Sequence, residues 1–210
     1  MAAFMAFLES VKDAALSMVT AAAYAVFLRN LLFSGGLGTT EVLRAAQRNS
    51  EIFMQSVLVS LFSAAAAALC KLAAALLEIF DYAWLAALYG AVLLGLYLLT
   101  CLTIALLPQK LAPHRPILLR RIGMGALNTI VMGVPLLAHR MGESLAGAIG
   151  MGLGAGLAFL VVAILINSGL HILQQNKAIP PMFTGVPAAL IYTGLLALAF
   201  TGFKGEILFQ

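Results

Sequence analysis

Hydrophobic residues run along this chain in stretches of about 20, separated by short polar connections, and this pattern predicts six membrane-spanning helices. At the rise of an α-helix, about 20 residues cross the roughly 30 Å hydrocarbon core of a bilayer. The strands of a transmembrane barrel would instead alternate apolar and polar positions. The predicted helices cover approximately residues 12–33, 52–69, 84–107, 122–137, 145–173 and 187–203.

Charged residues and prolines mark the predicted connections. The first connection carries Glu41, Arg44, Arg48 and Glu51, the second is a turn through Lys71, Glu78 and Asp81, and the third is a basic stretch with Pro108, Pro113 and Pro116. Lys and Arg are more frequent in the first, third and fifth connections than in the others or at the termini. The positive-inside rule therefore predicts that both termini lie outside.

Composition supports a membrane protein. Hydrophobic residues make up 63% of the 210 positions, charged residues make up 10%, and the mean hydropathy is +1.05, which exceeds what a soluble domain of this length can bury. We expect one six-helix domain over residues 1–205, with the lipid bilayer as a partner and no nucleic acid. Glu9, Lys12 and Asp13 argue against a cleavable signal peptide. Residues 206–210 resemble a viral 3C-type protease recognition scar, although a native tail is equally compatible.

Two apolar segments are interrupted by glycine and asparagine, at residues 30–40 and at residues 123–135. Interruptions at corresponding places in two halves are typical of inverted repeats with a functional site between them. We therefore predict an all-α membrane protein of two inverted three-helix repeats, about 12–107 and 117–203, in which helices one and four are broken or half helices. Kinked helices in which glycine permits close packing would give the same pattern.

The residues at these breaks resemble the membrane subunits of the Rnf and Nqr electron transport complexes. The first motif is Arg29-Asn30, Ser34 and Leu37-Gly38, and the second, residues 128–134, resembles the Asn-Cys-Ala-Val-Leu-Gly-Val segment of that family. A third motif, from Phe183-Thr184-Gly185 to Phe200-Thr201-Gly202 and on to Gly205, resembles the last helix of the family. The resemblance covers approximately residues 24–205.

The resemblance implies a specific cofactor chemistry. In the family, six-helix subunits of opposite topology work in pairs, and each contributes one Cys per broken helix to a shared [2Fe–2S] cluster. Thr40 and Thr129 stand at those two cofactor-binding positions here, and a neutral hydroxyl is a poor ligand for iron. Cys70 and Cys101 fall on helices two and three, away from the breaks. No cofactor is therefore expected from this chain alone, and neither catalytic nor metal-binding residues are predicted.

Two roles remain open for Thr40 and Thr129. Their hydroxyls can donate hydrogen bonds to free carbonyls at the broken helix ends. Alternatively, the paired breaks line an ion or small-ligand path, with the Thr hydroxyls, Asn30, Asn128 and exposed carbonyls as oxygen ligands. Gly38 and Gly133 would lie along the same path. A separate glycine series at 147, 150, 152, 154 and 156 lies within a predicted span, and its small-xxx-small spacing predicts close helix packing.

These observations lead to one functional hypothesis and two alternatives. We expect a component of an Rnf/Nqr-like, electron-transfer-linked ion-translocating complex in the prokaryotic inner membrane, without its own iron–sulfur cluster. Its partners would be a homologous six-helix subunit, together with further Rnf/Nqr-like subunits, and its own part would be non-catalytic or at most an electron relay. The first alternative is a small six-helix transporter or substrate-binding component that has lost redox function. The second is an accessory membrane protein whose breaks serve packing only.

Overall fold

The computed structural model of the protein describes residues 2–27, 30–77, 82–106, 115–175 and 180–203, and within these ranges every regular element is helical. The helices are α1 (Ala2–Phe27), α2 (Leu31–Gly35), α3 (Thr39–Ala46), α4 (Asn49–Leu77), α5 (Tyr82–Leu106), α6 (Arg115–Ala126), α7 (Thr129–Arg140), α8 (Leu145–Gln175) and α9 (Val186–Phe203). A short 3-10 turn, Pro181–Phe183, precedes α9.

Five helical segments are long and apolar enough to cross a membrane: Met5–Phe33, Asn49–Leu77, Trp84–Leu106, Arg115–Arg140 and Leu145–Gln175. The apolar helix Val186–Gly202 is shorter than these five. The predicted all-helical membrane class is thus confirmed for the described part of the chain. The Arg115–Arg140 segment contains the break between α6 and α7, as the pattern predicted for the fourth helix.

The glycine series places α8 between α1 and α4. A Cβ added at Gly154 would lie 2.5 Å from the carbonyl oxygen of Ala22 in α1, whereas one added at Gly156 would lie 2.5 Å from the Cα of Ser60 in α4. Gly150 and Gly152 repeat these contacts one turn earlier, against Met18 and Ala64. The predicted close packing is confirmed, because each of the two glycine stripes on α8 brings a different helix, α1 or α4, into backbone contact.

The same contacts give the chain directions. Residue numbers rise together in α1 and α8, so these two helices are parallel, whereas numbers in α4 fall as those in α8 rise, so α4 is antiparallel to both. The hydroxyls of Ser17 and Ser144, 3.1 Å apart, link α1 to the segment before α8. The other end of α8 lies beside the end of α3, where the side-chain amide of Asn167 donates to the carbonyl of Ala46 at 2.5 Å.

Several predicted boundaries were wrong, and polar residues caused most of the errors. The first helix begins at Ala2 rather than near 12, and α3 and the start of α6 lie in segments that were predicted to be connections. Lys71 was assigned to a turn, but α4 continues through it to Leu77, since the surrounding Ala and Leu residues favour a helix. Pro116 is tolerated in the first turn of α6. Arg29, the Glu78 and Asp81 turn, Pro108, Pro113 and the 206–210 tail lie outside the described residues.

Candidate functional site at the two helix breaks

The first break lies between α1 and α3. Asn30 begins α2, and its side-chain oxygen accepts a hydrogen bond from the backbone N–H of Leu32 at 3.1 Å. The short helix α2 ends at Gly36, and two residues later Gly38 begins α3. Both glycines have a positive φ, +65° and +73° respectively, a conformation that other residues adopt only with strain. The glycines therefore permit the sharp change of direction.

The second break repeats this capping geometry between α6 and α7. Asn128 is extended, and its side-chain oxygen accepts from the backbone N–H of Ile130 at 3.1 Å. Asn30 and Asn128 are only 2% and 3% exposed. The Nδ2 atom of Asn128 is buried, and it has no hydrogen-bond partner among the described residues. Since an unpaired buried amide is costly, this atom is a candidate contact for a bound group or water.

The two breaks contact each other. The buried backbone N–H of Gly38 donates to the hydroxyl oxygen of Thr129 at 2.8 Å. A Cβ at Gly38 would lie 2.5 Å from Cδ1 of Ile130 and 2.8 Å from Oδ1 of Asn128. Gly133 packs against Leu37 in the same way, because its Cβ would lie 2.6 Å from the Leu37 side chain. The structure thus brings Gly38, Asn128, Thr129 and Gly133 together.

Both threonines at the breaks are exposed, but only Thr129 joins the two breaks. Thr129 accepts the hydrogen bond from Gly38, whereas Thr40 occupies the second position of α3. The hydroxyl that donates to a free carbonyl is that of Thr39, which bonds the oxygen of Gly36. Thr39 was not among the predicted site residues, although a Thr that follows a glycine-rich turn is a common place for such a bond.

Helix termini determine the electrostatics of this junction. The amino ends of α3 and α7 both lie at the contact between the breaks, and each carries a partial positive charge from the helix dipole. The adjacent cavity has a volume of about 10 Å³ and is lined by apolar side chains, among them Leu32, Ile130 and Met151. It has room for about one water molecule, and its lining offers that water no hydrogen-bonding side chain.

The two thiols lie far from each other. Cys70 is buried in a cluster with Leu85 and Tyr89, which lie on α5. Cys101 also lies on α5, 12 positions beyond Tyr89, which corresponds to about 18 Å along the helix axis. No group of three or more His, Cys, Asp or Glu side chains that could hold a metal occurs in the described ranges.

Comparison with known proteins agrees with the family that the sequence motifs resemble. The chain is 35% identical over 99 residues to a subunit of the ion-translocating oxidoreductase complex of Cereibacter sphaeroides, an alignment that covers 46% of this chain and 50% of the relative. It is 27% identical over 187 residues to a subunit of the Na(+)-translocating ferredoxin:NAD(+) oxidoreductase complex of Acetobacterium woodii, over 86% and 93% of the two chains. The chain is related to subunits of Rnf ion-translocating oxidoreductase complexes.

The matches differ in extent. The chain spans about half the length of the Cereibacter relative that it matches, and the corresponding subunit from Rhodobacter capsulatus is 36% identical over 80 residues, 41% of its length. No family model matches the chain. Together, the apolar helices and the similarity to Rnf subunits point to a multi-pass membrane protein.

Replacement of Thr129 tests the bond between the breaks. In Thr129→Val the buried N–H of Gly38 loses its acceptor, and we expect a loss of about 1–3 kcal/mol in stability, seen as earlier thermal unfolding in detergent. Thr129→Ser retains a hydroxyl and should unfold close to the wild type. Equal unfolding temperatures for Thr129→Val and Thr129→Ser would show that the bond does not hold the breaks together.

Proposed function

We propose that this Rnf relative is a membrane component of an electron-transfer-linked ion-translocating complex, and that it has no iron–sulfur cluster of its own. The observation that carries the proposal is the contact between the two breaks, in which Gly38 of one broken segment donates to Thr129 of the other. The curated relatives are, by their names, subunits of ion-translocating oxidoreductase complexes.

The proposed architecture is a pair of inverted three-helix repeats. In this proposal α1 to α3 form the first broken span, followed by α4 and α5, while α6 and α7 form the second broken span, followed by α8 and α9. The similar capping by Asn30 and Asn128 supports it, since each asparagine caps the amino end of a helix at its break. Partners would be a homologous six-helix subunit, with other components of the complex, in the prokaryotic inner membrane.

The donor set at the breaks does not fit a [2Fe–2S] cluster. Iron in such clusters is held by thiolates or by histidine nitrogens, and the breaks offer hydroxyl and amide groups at Thr129 and Asn128. Cys70 lies beside Tyr89, and Cys101 lies about 18 Å further along the helix that carries Tyr89, so the two thiols are too far apart to bind one cluster together. In this proposal no electron-transfer step passes through this chain.

Iron content tests the cluster part of the proposal. The purified chain, alone and together with its partner subunits, is analysed for iron and for visible absorption. We expect the isolated chain to bind iron far below one atom per chain, because its breaks lack thiolates. The variant Cys70→Ser/Cys101→Ser is the matched control and should give the same result. Stoichiometric iron on the isolated wild type would overturn the proposal.

Purification from native membranes tests the complex. An affinity-tagged chain should be isolated together with a homologous six-helix subunit, and with flavin- or iron-containing subunits. Recovery of the chain alone after mild solubilisation, with a bound small solute, would favour the alternative of a six-helix transporter. The unpaired Nδ2 atom of Asn128 is the observation that keeps this alternative open, because it could donate to such a solute.

A further inference from the structure

A basic cleft lies at the end of the molecule where α3 ends and where α4 and α6 begin. Its volume is about 550 Å³. Arg44 and Arg48 line one wall and Arg120 and Arg121, on α6, line the other, with Glu51 as the acidic residue among the lining side chains. Four arginines against one glutamate give the lining a net positive charge, which favours an anionic occupant.

The arginines are available to such an occupant. Arg44 pairs with Glu41 at 3.3 Å and Arg48 pairs with Glu51 at 3.5 Å, but their side chains are 53% and 67% exposed. Exposed pairs of this kind are weak and can be displaced. Within the described residues, Arg120 and Arg121 have no salt bridge.

We propose that this cleft binds the phosphate headgroup of one anionic membrane lipid. Guanidinium groups bind phosphate oxygens through two parallel hydrogen bonds, and basic pockets between membrane helices are suited to anionic headgroups. The positive-inside rule places this arginine-rich end at the cytoplasmic face, where it meets the anionic lipids of that leaflet.

Apolar side chains beside the cleft favour a lipid over free phosphate. Ile117 and Met124 both line the cleft, and Ile117 is 50% exposed. Acyl chains can cover both side chains while the headgroup contacts the arginines, which a free phosphate ion cannot do. Because the cleft lies at the end of the membrane spans, the headgroup of a bound lipid can lie among the arginines while its acyl chains lie against the apolar side chains.

Native mass spectrometry of the full chain in detergent tests the proposal. Dioleoylphosphatidylglycerol, dioleoylphosphatidylethanolamine and inorganic phosphate are added in separate titrations. The wild type should retain one phosphatidylglycerol, and Arg120→Gln/Arg121→Gln should weaken its binding by about 25-fold, at roughly fivefold for each arginine. Arg44→Gln, on the opposite wall, should weaken phosphatidylglycerol binding by about fivefold. This single variant tests the proposal if the double variant does not fold.

Arg140→Gln is the matched control, because Arg140 ends α7 at the other end of the span. It should bind phosphatidylglycerol as the wild type does. The proposal is overturned if phosphatidylethanolamine binds equally well, if both cleft variants bind like the wild type, or if Arg140→Gln weakens binding as much as they do. Saturation by inorganic phosphate that blocks the lipid would also overturn it, because the cleft would then be a site for a soluble anion.

Discussion

Leucine in place of Gly154 should separate α1 from α8 and lower the thermal unfolding temperature in detergent by about 10 °C. A Cβ at this position already lies 2.5 Å from the carbonyl oxygen of Ala22, and a leucine side chain is far larger. Because backbone atoms cannot give way as a side chain can, the two helices must move apart. Overpacking of this kind costs about 3 kcal/mol, which in a chain of this length corresponds to roughly that shift.

Gly194→Leu is the matched control. Gly194 is exposed on α9, and a Cβ there would meet nothing within 4 Å. Leucine favours a helix and is compatible with lipid, so this variant should unfold at or above the wild-type temperature. If Gly154→Leu and Gly194→Leu unfold at the same temperature, close contact between α1 and α8 does not contribute to stability.

Alanine at Gly38 should disrupt the contact between the two breaks. Its Cβ would lie 2.5 Å from Cδ1 of Ile130 and 2.8 Å from Oδ1 of Asn128, and the backbone φ of +73° adds strain. Left-handed strain and overpacking together amount to about 2–5 kcal/mol. We expect earlier thermal unfolding and faster hydrogen exchange of the amide of Ile130, since the capping oxygen of Asn128 is displaced.

Gly36→Ala separates strain from packing. Gly36 has a φ of +65°, but the nearest atom to its Cβ would be Oγ1 of Thr39 at 4.0 Å. This variant should lose only about 1–2 kcal/mol, the cost of left-handed strain, and leave the exchange of Ile130 unchanged. Equal effects of the alanines at 36 and 38 would show that the contact across the breaks contributes little.

The hydrophobic pattern predicted the helices well and their ends poorly. Long apolar runs determine where a helix can cross a membrane, but charge was an unreliable sign of its end. Lys71 lies inside α4, and Glu41 and Arg44 form an ion pair within α3 rather than lying in an irregular connection. Charged residues at i and i+3 stabilise a short helix beyond the apolar core, which hydropathy alone does not reveal.

The candidate site was predictable in its location but not in its bonds. Glycine and asparagine at both breaks predicted interrupted helices, and the asparagines are found as caps at the amino ends of α2 and α7. The bond from Gly38 to Thr129 joins residues that are distant in sequence, so no local pattern contains it. Whether the site forms an ion or ligand path remains a prediction.

The packing of α8 has a mechanical consequence. Sliding α1 or α4 along α8 would require backbone atoms that touch at the glycine stripes to pass one another. Parting the two breaks would cost a single backbone hydrogen bond to Thr129, about 0.5–1.5 kcal/mol, together with the side-chain contacts around it. The protein therefore combines a frame of α1, α4 and α8 that resists sliding with a joint between the broken segments that is held by buried side chains and one hydrogen bond.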